Sequence, residues 1–326
     1  MSRLAVGPRR FLLLARITAA LVVANVATGA AVRLSGSGLG CPDWPTCAHQ
    51  SITPPLSLHP VVEFGNRMVV VVLVVACAVT FVAALARRPR RRDLTWLAGG
   101  LVAGVMGEAV VGAIVVYSKL NPYVVAGHFM LGMAVLADGV VLVLRAGHAP
   151  GRGTPLVSHR LVVLSRVFFA VIVLALFAGT GVTGTGPHAG GPGAKRIPMA
   201  LVTMARIHAE TVLTAGVVLL VLLYLLWRSN APARVQDRGR IVLGVMVVQG
   251  VIGYTQYFTH LPAVLVGIHV VGATAVLSVV LWFHHGLADH RAETADGDVG
   301  DGDAGAMAMD GSELEQAGTP VVEVTA

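Results

Sequence analysis

The sequence predicts an all-α integral membrane protein, with eight transmembrane helices arranged as two pseudo-symmetric four-helix bundles. Three observations carry that prediction. Hydrophobic residues make up 55% of the 326-residue chain and charged residues only 13%, against roughly 25% charged in an ordinary soluble domain. Eight separate apolar runs follow one another, each long enough to cross a hydrocarbon core of roughly 30 Å as a helix of about 20 residues. One spacing of polar residues recurs in the two halves of the chain. With a mean hydropathy of +0.76, these features exclude a soluble globular enzyme, a disordered chain and a disulfide-stapled secreted module. Three cysteines without a CxxCH motif argue against covalent haem attachment.

The runs cover residues 11–33, 61–86, 94–117, 122–145, 160–182, 200–227, 237–258 and 262–285. Continuous apolar stretches of this length fit helices and not the alternating pattern of a β-barrel. The first run follows Arg9-Arg10 and ends in small residues, as a signal peptide does. It is too long for a signal core and leads into further spans, so it reads as a retained helix. Basic residues set the orientation. With the N-terminus in the cytoplasm, 18 Lys and Arg fall inside and six outside (Arg33, Arg67, Lys119, Lys195, Arg196 and Arg206), which predicts a cell-membrane protein with both termini cytoplasmic. The pI near 9.9 therefore reflects membrane topology, and no nucleic-acid partner is expected. Residues 286–326 carry 10 acidic groups and 1 basic group with no aromatic residue, the composition of a disordered acidic cytoplasmic tail.

Duplication is written into the spacing. Glu108, Gly112 and His128 in the first half match Gln249, Gly253 and His269 in the second, with Pro122 and Pro262 near the corresponding turns. Asn66 precedes His128 by 62 residues and His208 precedes His269 by 61. Because each half holds an even number of spans, a duplication keeps the same orientation. The expected organisation is an N-terminal bundle over residues 1–150, a C-terminal bundle over 151–285 and the tail beyond.

His128, His208 and His269 lie near the outer ends of their spans, where ionisable groups are costly and usually functional. An interhelical hydrogen bond would account for one such histidine. Two at matching depth on alternate helices of one bundle suit axial ligation of a haem iron by His208 and His269. In the first half Asn66 stands where His208 stands in the second, and an amide is a poor iron ligand. That site would keep one axial position open for exchange. Glu63 lies one turn before Asn66; it reads either as a base or nucleophile beside the porphyrin or as the i, i+4 partner of Arg67. Cys41 and Cys47 lie outside the cytoplasm, where disulfides persist, and read as a bridge closing the external loop or as two thiols. Arg33 reads as a propionate partner or as an interfacial anchor.

These residues resemble the haem A synthase family, over about residues 11–285. The resemblance rests on VRLSGSGLGCPDWPTC after the first span, EFGNRM in the second, the Gly112…His128 unit, GVTGTGPHAGG after the fifth, IHAE in the sixth and QGVIGYTQ…GIH across the last two. It implies oxidation of the C8 methyl of haem O to a formyl group through successive hydroxylations, giving haem A. It also implies a haem b cofactor held by His208 and His269, with electrons passing through it. The substrate site of the first half would comprise the catalytic Glu63 with His128, Asn66, Arg33 and Arg67 at the substrate haem. His128, His208 and His269 would be the metal ligands, and the paired cysteines of the family match Cys41 and Cys47. Asn66 departs from the commoner ExxHR pattern, so a five-coordinate haem O on His128 is the simpler expectation. Expected partners are haem O, membrane lipid, haem O synthase, cytochrome oxidase assembly factors and a second copy of the chain.

Two other classes fit part of the pattern. A diheme b-type quinol oxidoreductase would want four histidine ligands, and Asn66 leaves the first half one short. A secondary transporter would use the repeat together with Glu108 and Asp138 at membrane depth, and would leave the outer-end histidines without a role. A prenyltransferase needs paired aspartates for magnesium diphosphate, and no DxxxD cluster is present. His49, His59, His188 and His260 read as solvated loop residues, and His148, His159, His284 and His285 as groups on the cytoplasmic side.

Overall fold

The computed structural model describes residues 5–290 apart from 49, 50, 52, 152 and 192. Eight long helices account for most of them: α1 (Pro8–Leu34), α2 (Leu58–Ala86), α3 (Arg92–Tyr117), α4 (Pro122–Ala146), α5 (His159–Thr185), α6 (Leu201–Arg228), α7 (Ala233–Phe258) and α8 (Ala263–His285). All eight are long and apolar enough to cross a membrane. The chain is an all-helical, multi-pass membrane protein, as its apolar runs predict. Within hydrocarbon each backbone N–H and C=O must be bonded inside its own segment, and only a helix does this for a single crossing. The largest displacement of a boundary is at α7, which begins four residues before its apolar run. Those four residues, 233–236, carry Arg234 and Gln236, polar residues that extend a helix beyond the hydrocarbon without registering as hydrophobic.

The apolar interior separates into two cores. One gathers buried residues of α1 to α4, among them Phe11, Leu73, Leu101 and Leu136, with Leu277 of α8 added. The other is built from α5 to α8, around Phe168, Leu219, Leu222 and Phe283. Helices α1 and α4 both pack against α8, so the cores share a seam. Small residues set the approach distances. A Cβ on Gly104 of α3 would come within 2.6 Å of Val135 Cγ2 on α4, and one on Gly139 of α4 would meet Ala19 of α1 at 3.6 Å. Thr18 and Thr80 share a 2.8 Å hydroxyl hydrogen bond between α1 and α2, which satisfies two buried polar groups.

The turns before α4 and α8 repeat one conformation. Lys119 and Leu120 have φ of 53° and 60°, and His260 and Leu261 have 65° and 59°. Leu120 N donates to Val115 O at 2.9 Å and Leu261 N to Gln256 O at 2.7 Å, so each preceding helix closes its last carbonyls through left-handed residues. Proline then starts the next helix at Pro122, or caps it at Pro262. On the face that holds the start of α1 and the end of α8, Ala288–Asp289 pairs antiparallel with Thr154–Pro155. Residues 286–290, assigned by composition to the tail, thus fold against the bundle. The rest of the proposed tail, and His49, lie outside the described residues.

Replacing Gly104 by Leu should lower the thermal midpoint in detergent, since overpacking a tight contact costs about 1–3 kcal/mol. A variant that melts with the wild-type chain would show that α3 and α4 do not approach this closely.

Candidate functional site

At the end of the bundle opposite the N-terminus, the loop after α1 folds over the first turns of α2. The Cys41–Cys47 disulfide closes this loop, the first of the two readings the sequence left open. Glu63 of α2 lies beneath it at 5% exposure. Its Oε2 accepts the backbone N–H of Cys41 at 2.8 Å, and its Oε1 accepts Arg67 Nη2 at 2.8 Å. Arg67 in turn donates to the carbonyl oxygens of Asp43 at 2.9 Å, Thr46 at 2.7 Å and Cys41 at 3.2 Å. One guanidinium therefore ties the carboxylate and the disulfide loop into a single unit. Gly40 permits the approach, because a Cβ there would lie 2.5 Å from the carbonyl carbon of His59. Its position directly before Cys41 was the signal available in the sequence.

Asn66 is not aimed freely into space. Its Oδ1 accepts Thr28 Oγ1 of α1 at 2.7 Å. His128 of α4 faces Glu108 of α3, with Nδ1 3.4 Å from Oε1, yet neither atom makes a hydrogen bond of good geometry. Gly112, one turn beyond Glu108 on α3, leaves room for the ring: a Cβ there would meet His128 Cε1 at 3.7 Å. The repeated Glu108–Gly112–His128 spacing thus corresponds to one contact set between α3 and α4.

The equivalent set in the second half joins α7 to α8. Gln249 Nε2 donates to the backbone carbonyl of His269 at 2.7 Å, and a Cβ on Gly253 would stand 3.0 Å from His269 Cε1. His208 of α6 lies across from His269, with ring centroids 6.3 Å apart and planes at 82°. Nδ1 of His208 is 2.9 Å from Ala175 O; the carbonyl can only accept, so Nδ1 carries the hydrogen and Nε2 is left with a lone pair. Nδ1 of His269 is buried without a partner.

These two rings fit axial ligation. Metal–imidazole bonds run about 2 Å, and two such bonds in line, with the half-width of each ring, add up to about 6 Å. Gly179 and Gly253 press directly on the two rings, where a side chain would displace them. Among the described residues no three His, Cys, Asp or Glu converge as a metal site. A macrocycle would have to supply the other iron ligands, which is what a haem does.

Arg33 has been drawn to a different task from the one its position near the span end suggests. Its Nε donates to His188 O and its Nη2 to Thr183 O, each at 2.8 Å. His188 then bonds Leu261 O through Nε2 at 2.8 Å, so it is not a freely solvated loop residue. Gly38 N donates to Gly190 O at 2.8 Å alongside. These contacts bring VRLSGSG and GTGPHAGG together although they lie about 150 residues apart, and no local pattern announces the pairing.

Substituting Arg67 by Ala should raise amide exchange across residues 40–48 about tenfold or more, because charge-assisted bonds of this kind contribute about 1.5–3 kcal/mol. Hydrogen exchange read by mass spectrometry checks it; unchanged protection would mean that the disulfide alone holds the loop.

Residues 12–59 and 57–189 match the family model of the cytochrome oxidase assembly proteins, COX15-CtaA. Over 131 residues, 38% of the chain, the sequence is 34% identical to a protein named Heme A synthase from Geobacillus kaustophilus (strain HTA426) and equally so to one from Geobacillus thermodenitrificans. The chain spans 40% of the length of each. Over 150 residues it is 31% identical to Heme A synthase of Bacillus pumilus (strain SAFR-032), covering 45% of this chain and 48% of that one. The family match includes Arg33, Cys41, Cys47, Glu63, Asn66, Arg67 and His128, and ends before His208 and His269.

Proposed function

The chain belongs to the cytochrome oxidase assembly protein family, and from that membership and the two polar sites we infer that it is a haem A synthase: a membrane oxidoreductase that converts the C8 methyl of haem O to a formyl group. The observation that carries the reading is the His208–His269 pair, 6.3 Å apart, with one buried ring nitrogen lacking any protein partner. A haem b held between these histidines supplies one-electron transfer chemistry. His208 is prepared for that role because its bond to Ala175 O directs the lone pair of Nε2 to the ligand side.

The first bundle is the substrate half in this reading. His128 holds the iron of haem O, with Glu108 Oε1 3.4 Å from its Nδ1. Asn66 keeps its amide oxygen on Thr28 and leaves the opposite axial position exchangeable. Glu63 accepts one donor on each oxygen and retains further lone pairs, with which it takes the proton released as the methyl carbon is oxidised. Arg67 positions Glu63 and its loop. Arg33 locks the outer loops of the two halves and lends its charge to a substrate propionate. Duplication accounts for the arrangement: two apolar cores, one recurrent turn and matched His128 and His269 contacts support a pseudo-symmetric pair of bundles over 1–150 and 151–285. The distribution of basic residues supports a cell-membrane protein with both termini in the cytoplasm.

The test is the pigment of the purified full chain. His269→Ala should abolish the b-type reduced-minus-oxidised spectrum while leaving the chain helical and folded; an unchanged spectrum rejects the ligand pair. Glu63→Ala should stall with haem O or a hydroxylated product on extraction, and haem A formed at the wild-type rate would remove Glu63 from the chemistry. Colourless wild-type protein would point to a transporter, and bound haem without any modified porphyrin would point to a quinol oxidoreductase.

A further inference from the structure

On the face opposite the two histidine sites, a short strap joins the linker after α4 to the segment after α8. Thr154–Pro155 pairs antiparallel with Ala288–Asp289, and Leu156 N extends the pairing to Leu287 O at 2.9 Å. So short a ladder is not stable by itself, and the side chains around it must hold it. Three of these are imidazoles: His148 opens the linker, His285 ends α8 and His290 follows the strap. The ring centroids of His285 and His290 lie 3.9 Å apart, and that of His148 lies 5.0 and 5.3 Å from them. Gly153 of the linker admits His290, since a Cβ there would stand 2.7 Å from its Nδ1.

The contacts of the cluster suit neutral rings. His148 Nδ1 lies 2.6 Å from Leu144 O and His290 Nε2 3.2 Å from His285 O; a carbonyl can only accept, so these nitrogens carry the hydrogens and the opposite nitrogen of each ring keeps a lone pair. His285 Nε2 stands 3.4 Å from His148 Nδ1. The surroundings do little to compensate added charge. Arg234 and Arg238 of α7 line the same cavity of about 130 Å³, which admits about four waters of roughly 30 Å³ each as a source of protons. Asp289, the carboxylate in its wall, is held by Arg234 at 3.1 Å. Arg91 reaches the carbonyl of His148 and is paired with Asp93. His284, next to His285, is turned to Ser165 of α5 with the charge of Arg166 near it. His290 is held below the usual imidazole range chiefly by burial; the bond to His285 O and the charge of Asp289 oppose this, and His148 and Arg238 add to it.

We propose that this cluster is a pH-sensitive latch: neutral imidazoles hold the linker between α4 and α5 to the segment after α8, and their protonation parts the strap. A free imidazole takes a proton near about pH 6.5. In the closed latch each ring would gain its charge beside two other imidazoles and the guanidinium of Arg238, with Asp289 already taken. Once the strap parts, the rings separate into water and take protons in the ordinary range. The closed form therefore binds fewer protons than the open one. Its stability is complete above about pH 6.5 and falls as pH drops below that value, by up to roughly tenfold per pH unit for each proton taken up. Clustered histidines make such a response steeper than one imidazole gives. The latch ties the linker between the two halves to the end of α8, the helix that carries His269, so its opening releases that helix end.

The experiment follows hydrogen exchange of the purified full chain by mass spectrometry between about pH 8 and about pH 5, the range in which histidine changes charge, corrected for the intrinsic pH dependence of exchange. Residues 153–157 and 286–290 should keep their protection down to about pH 6.5 and lose it about tenfold or more by about pH 5.5, while α3 and α4 stay protected. His290→Gln retains an N–H for His285 O and should make that response shallower. Arg238→Gln keeps all three imidazoles and removes a cation that opposes their protonation, so the loss should move to lower pH; this variant decides the matter if His290→Gln leaves the strap open at every pH. Protection that does not change with pH, or variants that respond like the wild type, overturns the proposal. So does a loss shared by all the helices, which would be general acid unfolding. The readout is the strap itself and needs no bound haem, so failure here is separate from failure of the haem reading.

Discussion

The constraint on which this structure depends is that hydrocarbon offers no partner to a polar group. Backbone groups meet it by forming helices, and the side chains meet it in pairs. Thr18 bonds Thr80, Asn66 receives Thr28, and Gln249 reaches the carbonyl of His269. Against that background the exceptions carry information. Buried atoms without a protein partner include Nδ1 of His128, Nδ1 of His269 and Oε1 of Glu108. Each of these belongs to one of the two matched histidine sites, and an unpaired polar atom in such surroundings costs about 1–3 kcal/mol.

The two halves use one contact geometry with different chemistry. Glycine on the neighbouring helix makes room for His128 and for His269 alike. The acidic group beside the first histidine is replaced by an amide beside the second, and the amide turns to the backbone carbonyl instead of the ring. By sequence spacing, Asn66 in the first half stands where His208 stands in the second. One half thus brings two imidazoles together, and the other sets a single imidazole beside a carboxylate. Under the proposed function this is the division between a cofactor that stays and a substrate that must leave.

Much of this was legible in the residues. Eight apolar runs set the helices to within a few positions, and the spacing of Glu108, Gly112 and His128 against Gln249, Gly253 and His269 became two equivalent helix contacts. Glu63 and Arg67 at i, i+4 formed the ion pair that spacing permits. The reach of Arg67 to four carbonyls of the loop was not legible, because backbone acceptors leave no mark in a sequence. Nor were the partners of Arg33 and His188, which lie in the other half of the chain, nor the cluster of His148, His285 and His290. Residues 286–290 were absorbed into the tail by composition, yet they pair with Thr154 and Pro155, since a short strand needs only an open edge.

The sequence by itself determined the number of apolar helices, their limits and the spacing at which polar residues recur. Those follow from hydropathy and period, which are local properties of a helix in a membrane. Tertiary structure alone decided which polar atoms meet: the 6.3 Å separation of His208 and His269, the burial of Glu63 beneath a disulfide loop, and the meeting of three imidazoles on the far face. Helix rotation and loop path set those distances. They arise from close packing of side chains on different helices, information that no single segment contains.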